Sequence, residues 1–212
     1  MTLQAERRGV PGIKGAIYSA DEWKNEPERI QALALGCDLI GKGNFDEWFQ
    51  GSVALNENRS PCLYHVTPEL GFNEFDISRM DLGIHAGTFE QAYGLGLRLI
   101  WFSEVTSLRL IKVALKLTSP WQCQDLGVWT PIRVYFELER TGVIDEAECQ
   151  RMVTQVRARM DTTTYDEEKA ICRSYLQEHG FDGIGYVNTA ESPFVKHTSW
   201  IALRSDQVWG LD

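Results

Sequence analysis

LRLIKVALKL, residues 108–117, sets Ile111, Val113, Leu115 and Leu117 on one side of an extended chain, with Arg109, Lys112 and Lys116 mostly elsewhere. That alternation predicts a strand buried on one face. Upstream, the short apolar runs SVAL (52–55) and CLYHVT (62–67), separated by the turn-rich NENRSP, predict two more strands. Between them and the central strand, Thr88 and Gln91 form a capping box opening FEQAYGLGLRL, where Gly94 and Gly96 limit the expectation to a short helix. Downstream, residues 145–160 place Cys149, Val153, Val156 and Met160 on one helical stripe, and Thr164 with Glu167 caps a helix that ends at Gly180. Two strand-like runs, GIGYVN (183–188) and SWIAL (199–203), close the chain. Strands and helices are interspersed without regular βαβ alternation, so the expected class is α+β rather than a doubly wound sheet.

Residues 1–44 read as an N-terminal helical extension. Ser19 and Glu22 make a capping box, Asn25 and Pro27 restart a helix, and Gly36 ends it. Such a lobe either covers an edge of the main domain, residues 45–212, or takes part in recognising a target.

Composition narrows the function. The chain has 212 residues, 43% of them hydrophobic and 24% charged, enough for one core that needs no covalent staple. Five cysteines without a CxxC pair suggest neither a disulfide framework nor structural zinc, and fit a reducing cytoplasm. The first residues lack an apolar leader-like run, and no stretch approaches the roughly 18 apolar residues of a membrane span, so no membrane partner is expected. A net charge of −9 without a basic cluster argues against nucleic acid as a partner; it favours a basic protein or simply keeps the chain soluble.

GxSxG, Walker, GxGxxG and HExxH motifs are all absent. None of the four histidines has helical metal-ligand spacing, so no metal site is expected. His179 and His197 read as ordinary core or surface residues. His65 in YHVT and His85 in GIHAGT stand apart, each flanked by residues typical of strand ends and tight turns.

Three stretches carry a resemblance. FDEWFQGSVALNENRSPCLYHVTPELGFNEFD (45–76) resembles the opening of phage and mobile-element ADP-ribosyltransferase domains, which pass from an aromatic pair to a YHGT-like strand. GIHAGTFEQA (83–92) resembles their GxHFGT motif and the helix after it. FDGIGYVNTAESPFVKHTSWIALRSDQV (181–208) is similar to their closing DGIxYxNxxE strand and loop, followed by an SYIVF-like strand.

The resemblance implies a split β-sandwich with flanking helices that uses NAD⁺ as substrate and passes ADP-ribose to a macromolecule, with a protein as the expected acceptor. By position it implies that His65 anchors a ribose, that the Val66 backbone holds the nicotinamide carboxamide, and that Tyr64 and Thr67 complete that motif. His85 and Tyr93 would flank the ring. Glu191, together with His65, is the expected catalytic residue, and Asp206 is the reserve carboxylate; Ser199 stands where poly(ADP-ribose) polymerases carry a glutamate. Glycosidic cleavage of NAD⁺ passes through an oxocarbenium-like state, which calls for a ring clamp, a ribose anchor and a nearby carboxylate. By analogy the protein would be a cytoplasmic effector, anti-defence factor or toxin. A fold that has lost the chemistry and only binds, or an NAD⁺ glycohydrolase, are the alternatives.

Overall fold

Nine residues at the centre of the chain organise the whole molecule. The computed structural model describes residues 13–34, 43–188 and 196–211. In it β4 (Ser107–Leu115) is the middle strand of a four-stranded antiparallel sheet. β2 (Leu63–Thr67) runs along one edge of β4, from Leu63 opposite Val113 to Thr67 opposite Arg109. The other edge takes β1 (Ala16–Ser19) beside residues 107–110 and β8 (Val208–Gly210) beside residues 113–115. The second sheet has the order β3 (Ile84–Ala86), β7 (His197–Ala202), β6 (Gly183–Asn188), β5 (Pro120–Gln124), with only β5 and β6 parallel. The expected α+β class and two sheets are therefore present.

The two sheets pack face to face. Leu63, Ile111, Val113 and Leu115 of the first meet Ile84, Ala86, Trp200 and Ala202 of the second in one buried cluster. Outside the first sheet lie α1 (Ala20–Asn25), α2 (Pro27–Ala34), α3 (Gly43–Phe49) and α4 (Phe89–Ser103), around Tyr18, Trp23, Tyr64, Val66, Leu108 and Leu110. Outside the second lie α5 (Pro131–Arg140), α6 (Glu146–Arg159) and α7 (Tyr165–Glu178), around Trp121, Tyr135, Leu138, Val153, Ile184 and Ile201. β4 is thus buried on both faces rather than one. Even Arg109 is enclosed, its guanidinium donating to the carbonyls of Ile13 at 2.7 Å and Phe72 at 2.5 Å.

The sequence expectations fare unevenly. The capping boxes at Ser19/Glu22, Thr88/Gln91 and Thr164/Glu167 all form. Residues 16–19, however, are a strand of the main sheet, so the N-terminal region is not purely helical, and Trp23 is wholly buried in the core. Gly36 lies outside the described residues. SVAL forms no strand; Val53 N–H donates to the Leu117 carbonyl at 2.7 Å and its own carbonyl accepts from Leu55 at 3.0 Å, without a ladder. Met160 caps α6 in solvent, at 67% exposure, instead of joining its buried stripe. α4 runs for 15 residues despite its glycines. Gly96 is there for contact: a Cβ on it would meet the Trp23 ring at 2.5 Å. Cys62, Cys123, Cys149 and Cys172 form no disulfide, and no helix among the described residues is long and apolar enough to cross a membrane.

Candidate functional site

Where β2 meets β3, one pair of backbone bonds joins the two sheets: Tyr64 N–H donates to Gly87 at 2.8 Å and Gly87 N–H donates back at 3.1 Å. Beside this seam is a cleft of about 280 Å³. Its walls are the edge of β2, the segment from Met80 to Gly87, the first turns of α4, the loop carrying Asp125, Gly127 and Trp129, and Tyr186, Asn188 and Ser199 from β6 and β7.

Strand geometry decides what the β2 edge offers. N–H and C=O groups of successive residues point to opposite edges, so those of Tyr64, which face Gly87, share their edge with those of Val66. Val66, which borders the cleft, therefore presents its backbone N–H and C=O there, while its side chain is buried in the helical cluster. His65 leans the other way from the sheet, with its ring edge on Phe75 and Nδ1 2.7 Å from the His85 carbonyl. A carbonyl only accepts, so Nδ1 carries the proton and Nε2 is left as an acceptor.

His85 lies across the cleft, with Nδ1 3.3 Å from the Tyr186 hydroxyl and its ring against Trp129 and Tyr186. Its Nε2 is buried and has no partner, which is costly unless a ligand supplies one. Both imidazoles are neutral at pH 7. Desolvation lowers the His65 pKa against the opposing effect of its bond to the His85 carbonyl. Desolvation, with the His65 charge added, brings His85 down to about 3. Gln91 ties the far wall together, its Oε1 accepting from Thr88 N–H at 2.8 Å and its Nε2 donating to the His197 carbonyl at 3.0 Å. A Cβ at Gly87 would collide with this amide and with the Ser199 hydroxyl, so only glycine fits.

The expected site residues separate into groups. His65, the Val66 backbone and His85 come together in the cleft. Tyr64 contributes its backbone to the seam, but its side chain crosses into the helical layer and its hydroxyl donates to the Ala34 carbonyl at 2.9 Å. Thr67, the last residue of β2, does not border the cleft; its hydroxyl accepts from Glu69 N–H at 3.1 Å. Tyr93 points away from the cleft, because its position on α4 turns it toward Trp23: the rings stack at 5.4 Å and its hydroxyl donates to the Trp23 carbonyl at 2.7 Å. Asp206 sits in an exposed turn paired with Arg204 at 2.9 Å, outside the cleft. Ser199 does line the cleft, its hydroxyl accepting from the Asn188 amide at 3.1 Å. Glu191 lies outside the described residues.

Sequence reasoning missed Trp129, Tyr186, Gln91, Asp81 and Asp125. Asp81 accepts backbone hydrogen bonds from Trp129 and Leu82, yet desolvation outweighs these bonds and the nearby Lys169 charge, and its carboxyl pKa is raised. The exposed Glu57 and Glu90 and the partly buried His197 gather ligand atoms within 4.8 Å of one another, but none of the three borders the cleft.

Comparison with family models, curated proteins and solved structures found no match. The case for function therefore rests on the cleft.

The histidines give it a pH signature. With folded pKa values below the unfolded value near 6.5, the unfolded chain binds more protons as pH falls from about 6.5 toward 3, so stability drops through that window. Each histidine adds a slope approaching about 1.4 kcal/mol per pH unit. Urea midpoints for the parent should fall steeply between about pH 6.5 and 4, and a His65→Gln, His85→Gln double variant should show a flatter profile. Parallel profiles would mean that neither ring is buried neutral.

Proposed function

We propose that this chain is a mono-ADP-ribosyltransferase that takes NAD⁺ as substrate, releases nicotinamide and passes ADP-ribose to a protein acceptor in the cytoplasm. The observation that carries it is the pairing of the β2 edge with His85 across one cleft. Val66 N–H and C=O match the oxygen and amino group of a carboxamide, two bonds in the pattern of a sheet ladder. His65 Nε2 is an acceptor suited to a ribose hydroxyl, and the unpartnered His85 Nε2 is placed to gain a partner when the ring enters.

The bond that breaks joins the ribose C1′ to the pyridinium nitrogen, which keeps the electron pair and leaves as neutral nicotinamide. Positive charge builds on the ribose, and a carboxylate lowers that barrier by acting on charge that is full only in the transition state. Glu191 is assigned that role; it follows by three positions Asn188, which lines the cleft. An acceptor nucleophile then forms its bond to C1′ and gives up its proton. An ADP-ribosyltransferase-like split β-sandwich is the fold assignment that goes with this chemistry, and a phage-type effector or toxin is the biological role that goes with the resemblance.

A second reading, an inactive binding module, draws on two positions. Ser199 supplies a hydroxyl already engaged by Asn188, and Tyr93 is committed to Trp23. Purified protein incubated with adenylate-labelled NAD⁺, with and without cell lysate, separates the possibilities. Label on a protein is the expected result. Free labelled ADP-ribose alone would make the chain a glycohydrolase, bound but unconsumed NAD⁺ would favour the binding module, and absence of NAD⁺ binding would overturn both enzymatic readings.

A further inference from the structure

The described residues that line the cleft include two carboxylates, Asp81 and Asp125, and no lysine or arginine. Its two histidines are neutral at pH 7. Lys169, whose charge bears on Asp81, has its own partners: Nζ donates to the Met80 carbonyl at 2.6 Å, pairs with Asp166 at 2.8 Å and lies over the Tyr165 ring. Asp125 accepts from Gly127 N–H at 2.8 Å, and Asp81 accepts from Trp129, so both carboxylates are fixed to the same loop. His85 lies against the buried rings of Trp129 and Tyr186, whose centroids are 4.8 Å apart, and Asp81 is bonded to the Trp129 backbone. Asp81 is exposed and Asp125 half-buried, so their charge is partly screened, while the π-faces beside them favour cations.

We infer that Asp81 and Asp125 are specificity-determining residues that recognise positive charge on the ring entering the cleft, so that it takes a cationic pyridinium carboxamide in preference to a neutral ring of the same shape. This rests on the proposed use of NAD⁺, whose nicotinamide ring is cationic while that of NADH is not. The diphosphate of the dinucleotide then lies away from Asp81 and the cleft beside it holds the nicotinamide end; Asp125 also borders a shallow depression that carries Arg140 and Lys196.

The test uses two small probes of nearly equal shape, 1-methylnicotinamide, which is a cation, and 3-methylbenzamide, which is neutral, titrated by NMR into the full chain with NAD⁺ and NADH in parallel. The cation should bind at least about fivefold more tightly than its neutral counterpart, the scale of one partly exposed ion pair. The preference should shrink in about 0.5 M salt, where screening is strong. In an Asp81→Asn, Asp125→Asn double variant the ratio should fall to within about twofold, since asparagine keeps an oxygen acceptor for the backbone donors and removes only the charge. If the double variant does not fold, as judged by its thermal midpoint, Asp125→Asn alone and the salt series carry the same comparison. Equal affinity of the two probes for the parent, or a ratio unchanged by the substitutions, would overturn the inference while leaving NAD⁺ use intact. Cation preference without any NAD⁺ binding would do the reverse, sinking the transferase proposal and leaving the acidic wall standing.

Discussion

Glu191→Gln is expected to bind NAD⁺ within about threefold of the parent and to transfer ADP-ribose slower by roughly a hundredfold or more. Glutamine preserves the shape and a hydrogen-bonding oxygen but lacks the negative charge. In the bound substrate the ribose carries little positive charge, so removing the carboxylate costs little affinity. In the transition state the C1′–N bond is largely broken, and the missing charge is felt in full. Single-turnover transfer from labelled NAD⁺ alongside direct binding measures the two quantities separately. Full activity in Glu191→Gln would remove that residue from the chemistry. Loss in Asp81→Asn instead would move the role to a carboxylate already seen in the cleft.

Gly96→Val should lower the thermal midpoint by about 6–12 °C, equivalent to about 3 kcal/mol in a domain of this size. The glycine lies in the interior of α4, where a side chain would ordinarily help the helix, but its face is covered by the fully buried Trp23. The indole cannot step aside: Nε1 donates to the Tyr93 carbonyl at 3.1 Å, the Tyr93 ring stacks on one face, and Tyr18 packs edge-on at 5.8 Å. Gly71→Val is the matched control, because nothing stands within 4 Å of where its Cβ would be. Equal midpoints for both variants would mean that Trp23 is not seated on α4.

What could be read from the sequence follows from how local each signal is. The capping boxes at Ser19, Thr88 and Thr164 were legible because every partner lies within three residues. The start of helix α5 is legible in the same way, with Thr130 as N-cap and Pro131 at its first position. β1 is four residues long and pairs with a strand about ninety positions away, so AIYS carries little strand signal of its own. β5 begins with proline and contains no β-branched residue, and its parallel partner β6 lies beyond three helices. SVAL has the composition of a strand but finds no ladder, because tertiary packing decides such short runs.

The site divides in the same way. His65 and His85 stood out because each sits in a compact motif on a strand. Tyr93 was misplaced because helical spacing gives a residue's face only relative to its own helix, and the rotation of α4 is set by Gly96 against Trp23. Trp129, Asp81 and Asp125 come from loops, and what gathers them is Asp81 accepting the Trp129 N–H across 48 positions of chain. No periodicity announces a contact of that kind.

The seam at Tyr64 and Gly87 also bears on how the molecule breathes. Each sheet is a block with its own helical cover, and besides the core they share, the blocks are joined where β2 meets β3 by one reciprocal pair of backbone bonds beside the cleft. A ligand holding Val66 on one block and His85 on the other acts as a second suture beside the first. Occupancy would then register as slower amide exchange along β2 and β3, far beyond the few atoms that touch the ligand.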